Sequence, residues 1–210
     1  MASSVIHMCV ANEINKKLKR NNDQVLIGSI APDIAKHLGR TKKESHFLTE
    51  PGDIPNMELF LEKYKKHMKD DFVLGYYIHL YTDYLWFKYF FKDFASSNQL
   101  YLLDGTVAVV SQEQLKEYFY NDYTTLNKVL IEDYNLDLSA FDKKILKPKN
   151  IIKEIPMNEL QLIIDKTKMI INKSQEKKSY VFNDEKIHKF IETCEEAILS
   201  HLRDIGYLKN

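Results

Sequence analysis

The chain has 210 residues with 30 basic and 30 acidic side chains, so its formal net charge is zero. That balance argues against a large polyanion-binding surface, and no nucleic-acid partner is expected. No stretch approaches the roughly 18 uninterrupted apolar residues of a membrane helix. The leading Met1-Ala2-Ser3-Ser4-Val5-Ile6-His7-Met8 lacks the basic-then-apolar order of a secretory signal, and Cys9 and Cys194 lack CxxC spacing. A soluble, cytoplasmic protein with reduced thiols is the expectation.

The length suits one domain spanning 1–210 with a substantial core. Six Gly and five Pro favour long helices over many tight turns. A first helix starts at a Ser3 or Ser4 cap and runs to about Asn21, with Val5, Met8, Cys9, Ala11, Ile14 and Leu18 as its apolar stripe. A second apolar patch, Val25–Ile30, leads into the turn-forming Pro32-Asp33, and residues 37–56 read as largely irregular. Helices are expected over about 57–69 and 71–92. Leu100–Val110 admits two readings, a small hairpin turning at Asp104-Gly105 or a loop. Ser111 with Gln114 forms a capping-box pattern that opens a helix to about Asn121, and another follows over 123–133. The last two cover 156–175, with Pro156 in its first turn, and 184–204, capped by Asn183 and stopped before Gly206. The expected architecture is a single all-α domain.

The chemistry concentrates in the helix around 71–92, where His79 and Asp83 stand four residues apart among Val73, Leu74, Tyr76, Tyr77, Ile78, Leu80, Leu85 and Trp86. Positions i and i+4 share a helix face, so imidazole and carboxylate can hold one cation. Spacing alone is cheap. With this many acids about one of the seven His should have one at i+4 by chance; His46/Glu50, His67/Asp71, His79/Asp83 and His188/Glu192 all do. Only His79/Asp83 is embedded in apolar neighbours, where an uncompensated carboxylate is costly. His67 lies in a lysine-rich surface stretch, and His37 reads as a surface residue beside Lys36 and Arg40. Three more residues join the central pair as candidates: His7, flanked by Ile6 and Met8; Asp33, after Pro32; and His46, in the irregular stretch.

The order Val5-Ile6-His7, then Gly28-Ser29-Ile30-Ala31-Pro32-Asp33, then Ser45-His46-Phe47, then Gly75-Tyr76-Tyr77-Ile78-His79-Leu80-Tyr81-Thr82-Asp83 resembles the zinc-dependent phospholipase C family, which is related to the P1-type zinc nucleases. The resemblance covers about residues 3–90. It implies an all-helical fold and one or two zinc ions. Asp33, His46, His79 and Asp83 would hold one, and His7 with a bridging Asp83 part of a second. It also implies hydrolysis of a phosphate ester by a metal-activated water, with a small-molecule phosphate ester or a phospholipid headgroup as substrate. Lys36, Arg40, Lys42 and Lys43 either attract that ester or form an exposed charged loop.

The chain departs from the family's secreted enzymes. No His follows Asp83 in Tyr84–Tyr89, and the nearest His-x-x-x-Glu, His188/Glu192, sits far downstream on a helix whose inward positions are Ile187, Phe190, Ile191 and Cys194. His201 reads as a core histidine. The secreted enzymes also use their terminal amino group at the metal, which nothing in this sequence suggests. An HD-type phosphohydrolase lacks its diagnostic His-Asp dipeptide here, and no glycine-rich phosphate loop or nucleophile elbow is present. The alternative is a non-catalytic helical protein in which these residues serve the core, with or without a metal.

Overall fold

Ser3 is extended, and its hydroxyl accepts from the Ile6 amide at 3.2 Å, which caps α1 (Ser4–Leu18). The computed structural model describes residues 1–96, 98–143, 150–175 and 177–209. Lys19 turns left-handed and ends α1 before the expected Asn21, which instead caps α2 (Asn22–Ile30) by accepting from the Gln24 amide. The apolar patch is therefore the body of a helix. Ala31–Asp33 then tightens into a 3-10 turn around Pro32, followed by the short α3 (Ile34–His37). Asn56 caps α4 (Met57–Tyr64) and Asp70 caps α5 (Asp71–Lys88). Both helices run on into short 3-10 turns, Lys65–His67 and Phe90–Asp93, so their α parts end before the expected limits.

The fold is mostly helical, roughly as the all-α expectation has it, with one small antiparallel sheet added. Its strands β1 (Ala95–Ser96), β2 (Gln99–Tyr101) and β3 (Val107–Val109) lie in chain order, with Leu100 opposite both Ala95 and Ala108. The hairpin reading of Leu100–Val110 holds: Gly105 takes φ +85° in its turn, a value that suits glycine. Ser111 and Gln114 form a reciprocal capping box at the start of α6, which runs unbroken over Gln112–Asp133. The expected break near Asn121-Asp122 does not occur. Both polar side chains find distant backbone partners instead of competing for their own helix. Asp122 accepts from the amides of Tyr180, Val181 and Phe182 at 2.6–3.1 Å, and Asn121 donates to the Lys178 carbonyl. A 3-10 turn over Met157–Glu159 follows Pro156 and leads into α7 (Leu160–Asn172), and Asn183 caps α8 (Asp184–Asp204).

Helix α5 is apolar on all sides and correspondingly buried: Phe72, Val73, Leu74, Tyr76, Tyr77, Ile78, Leu80 and Trp86 lose nearly all contact with solvent. Each such side chain contributes on the order of 1.5–3 kcal/mol by burial. Helices α1, α2 and α8 pack on it. The crossing of α2 and α5 is the closest feature of the core. A Cβ added to Gly28 would lie 2.2 Å from the Phe72 carbonyl oxygen, and one added to Gly75 would lie 2.1 Å from that of Val25. The two backbones touch where glycine leaves room for them. No helix among the described residues is long and apolar enough to cross a membrane.

Candidate metal centre

The α2–α5 contact builds the site. It brings the Ser29 carbonyl, at the end of α2, within 2.7 Å of His79 Nδ1 on α5. A carbonyl only accepts, so Nδ1 carries the proton and Nε2 turns its lone pair inward, the orientation in which imidazole binds a metal. One turn further along α5, Asp83 faces the same centre. Asp33 arrives from the 3-10 turn after α2, and His7 from the first turns of α1. His46 is delivered by a tight turn in which its amide donates to the Lys42 carbonyl at 2.9 Å. The next residue, Phe47, takes φ +53° and swings its ring onto Phe60 at 5.2 Å. A bulky side chain at positive φ is costly, and burial of the ring offsets that cost.

All five residues singled out from sequence, His7, Asp33, His46, His79 and Asp83, thus converge and are buried. His46 Nε2 lies 3.2 Å from His79 Nε2, 3.5 Å from Asp33 Oδ1 and 3.6 Å from Asp83 Oδ2, and His79 Nε2 lies 3.7 Å from Asp83 Oδ2. Donors arranged tetrahedrally around an ion at 2.0–2.2 Å stand about 3.3–3.6 Å apart, so these separations match a coordination shell. On the other side, Asp83 Oδ1 faces His7 Nε2 at 3.3 Å and accepts from the Ala2 amide at 3.1 Å. The rings of His7 and His79 stack with centroids 3.7 Å apart.

Two ligand triads can be drawn, Asp33/His46/His79 and His7/His79/Asp83. They share His79, whose single free nitrogen serves one ion, whereas Asp83 has two oxygens aimed in different directions. Both nitrogens of His7 and Oδ2 of Asp83 are buried without a hydrogen-bond partner. Buried polar atoms are rarely left so, and a cation at the centre would take one His7 nitrogen and Asp83 Oδ2 as ligands. The donor set fits zinc.

The charge states agree with ligation. Burial pushes the imidazoles of His46 and His79 below the usual histidine range, His46 further by Lys42 and His79 by His7, so both are neutral. Burial raises the Asp33 and Asp83 carboxyls, but the Lys42 ammonium and the polar groups facing them outweigh it. Lys42 and His46 hold Asp33 well below the carboxylate range, and His7 and His79 do the same for Asp83. For histidines lowered by the fold, the unfolded chain binds more protons below its own pKa of about 6.5. Stability is then present above that value and lost as pH falls through it. We expect the metal-free protein to lose thermal stability progressively below about pH 6.5, and zinc to move that loss to lower pH, as read from melting curves at graded pH. An unchanged melting temperature from pH 7 to 5 would contradict the neutral, buried imidazoles.

Sequence reasoning left three contributors unassigned. Lys42, weighed only as one of several loop charges, bonds Asp33 Oδ1, and its Nζ lies 3.4 Å from His46 Nε2. Ser45 Oγ sits 2.9 Å from His46 Nδ1 and supports that ring from behind. The Met1 amino group, which nothing in the sequence suggested, is buried near Asp83 and Asp33; burial lowers it to about 6 against the pull of those carboxylates. The four-residue separation of Lys42 and His46 is the one available signal, and it lay in a stretch without helical periodicity.

The remaining candidates fall elsewhere. His188 pairs with Asp133 at 3.0 Å and Tyr134 at 2.8 Å, and Glu192 is exposed, so neither joins the centre. His201 is half-buried and bonded to the Tyr77 hydroxyl. His67 is exposed as expected, whereas His37 is half-buried. Glu50 is exposed on Lys43 rather than paired with His46. Comparison of the chain with protein-family models, curated proteins and solved structures finds no match.

Proposed function

We propose that the chain is a zinc-dependent hydrolase of phosphate esters, a single domain of the phospholipase C and P1 nuclease type working in the cytoplasm. The observation that carries this reading is the convergence of five buried donors, with His7 and Asp83 Oδ2 left without partners. Zinc held there would supply Lewis acidity for the phosphoryl oxygens and would lower the pKa of a bound water towards neutrality. The protein's own groups do the rest. Asp83 turns Oδ1 towards His7 and Oδ2 towards His46 and His79, so both oxygens could serve as ligands. The Ser29 carbonyl and Ser45 hydroxyl keep His79 and His46 oriented. Asp33 has the most solvent-exposed side chain of the five, and its carboxylate would orient an attacking water. Lys42, beside it, can neutralise charge on a phosphoryl oxygen. Two buried, unpaired thiols suit the reducing compartment.

One observation favours the non-catalytic reading. The Lys42 ammonium on Asp33 compensates that carboxylate without any metal, as an ion pair serving only the core would. The two separate by elemental analysis of protein purified without added metal, followed by a screen of phosphomonoesters, phosphodiesters and phosphatidylcholine. The hydrolase reading expects one or two zinc ions per chain and turnover of at least one ester class. Bound zinc with no turnover supports the scaffold, and metal-free protein that also fails to take up added zinc overturns the centre itself.

A further inference from the structure

A cleft of about 170 Å³ opens beside the centre, and Asp33 belongs to both. Its walls come from the start of α1, from α3, from α6 and from α7. Among the described residues Asp33 is its only acid, whereas Lys36 of α3 and Lys173 just beyond α7 bring cations to it from separate elements. His37 also lines it, its imidazole lowered by burial and by Lys36, Lys166 and Lys42 against the pull of Asp33. Asn127 of α6 lines the cleft with both amide atoms buried and without a hydrogen-bond partner. A buried primary amide with all its donors and acceptors unused is an unfilled recognition group. The start of α1 faces the same space with no acidic residue in its first turn, so its dipole also favours an anion there, as the Ala2 amide already does in donating to Asp83.

We infer that this cleft is the substrate site of the centre and selects a compact phosphate ester whose organic part carries a second negative charge. The inference rests on the hydrolase reading only for what happens at the phosphoryl group. The phosphate lies towards Asp33 and the centre. The second anionic group lies between Lys36 and Lys173, and Asn127 hydrogen-bonds the polar atoms between the two. The volume is far too small for a diacylglycerol. A quaternary ammonium in the same place would meet two lysines instead of an open aromatic face, since the Lys36 ammonium already sits 5.1 Å from the Tyr120 ring centroid. A choline headgroup is therefore the wrong sign.

The test uses two phosphomonoesters of similar size and opposite tail charge, 3-phosphoglycerate and phosphocholine, titrated calorimetrically into the full chain with its zinc content measured. The expected result is at least about tenfold tighter binding of 3-phosphoglycerate, a preference that shrinks with added salt. The double variant Lys36→Ala/Lys173→Ala, altered only at surface positions, should lose that preference with zinc content unchanged. Asn127→Leu should weaken both esters, with its melting temperature recorded as a check on folding. Equal binding of the two esters, tighter phosphocholine, no binding of either, or an unaffected double variant overturns the inference. Zinc bound without charge preference leaves the hydrolase reading standing and removes this one. Preference for 3-phosphoglycerate in protein that holds no zinc does the reverse.

Discussion

Asp83→Asn is expected to remove the metal from the protein and, with it, hydrolysis of any phosphate ester. The substitution keeps the shape of the side chain and changes one oxygen to an amide nitrogen. That is enough, because both oxygens are used. Oδ1 faces His7 Nε2 at 3.3 Å, and Oδ2 faces His46 and His79 at 3.6 and 3.7 Å. A neutral amide offers one acceptor, so the groups on one side of Asp83 would lose an anionic partner and the proposed centre a ligand. The buried imidazoles then face N–H donors where an anion stood. Wild-type protein in zinc at a hundred times its dissociation constant should gain about 2.7 kcal/mol, or roughly 5–10 °C in melting temperature for a chain of this size. The variant should show no zinc-dependent shift, and activity should fall at least about a thousandfold, since the water's acidity then reverts towards that of bulk solvent. Full zinc retention by Asp83→Asn would refute the bridging assignment. Retention of stability without zinc in both proteins would instead point to Lys42 as the compensating cation.

The same residues show what sequence can and cannot supply. Four His/acid pairs share the i,i+4 spacing, and the spacing ranks them equally. What separates them is burial, which the surrounding apolar residues announce for His79/Asp83 alone. In the structure that pair is the one with both members buried. Helix starts were readable because their caps are local: Ser3, Ser111 and Asn183 each bond the amide three residues ahead. The misses have the opposite origin. α2 contains Gly28 and Ser29 and ends two residues before Pro32, so its local signals spell a turn, and only contact with α5 makes a helix of it. Asn121-Asp122 looks like a break until the 178–182 segment supplies partners 57–60 residues away. Lys42 was hidden for the same reason, since its role depends on a turn stabilised by Phe47 packing on distant aromatic rings.

Gly75→Ala sets two physical effects of opposite sign against each other. Within a helix the change from Gly to Ala is worth about 1 kcal/mol in favour of alanine, and by propensity alone the variant should be more stable. The added Cβ, however, would meet the Val25 carbonyl oxygen at 2.1 Å, the Gly28 Cα at 3.0 Å and the Ser29 amide nitrogen at 3.0 Å. All three are backbone atoms of α2, so no side chain can rotate away and the helices themselves must separate. Overpacking of this kind costs about 1–3 kcal/mol even where side chains can yield. Steric conflict of backbone on backbone lies at the upper end of that range and wins, and we expect a net loss of roughly 2 kcal/mol, or about 4–8 °C in melting temperature. The same separation lifts the Ser29 carbonyl from His79 Nδ1, now 2.7 Å away. Loss of an outer-shell partner typically weakens metal affinity about 10–100-fold. Gly75→Ala should therefore lower stability and zinc affinity together, although Gly75 contacts neither the ion nor the substrate. Gly28→Ala, whose Cβ would meet the Phe72 carbonyl oxygen at 2.2 Å, should behave alike. Melting curves and zinc titrations of both variants decide the matter. A Gly75→Ala protein as stable as the wild type would mean that helix propensity governs here and that α2 and α5 are not in backbone contact. Lowered stability with unchanged zinc affinity would keep the contact but remove Ser29 from the control of His79.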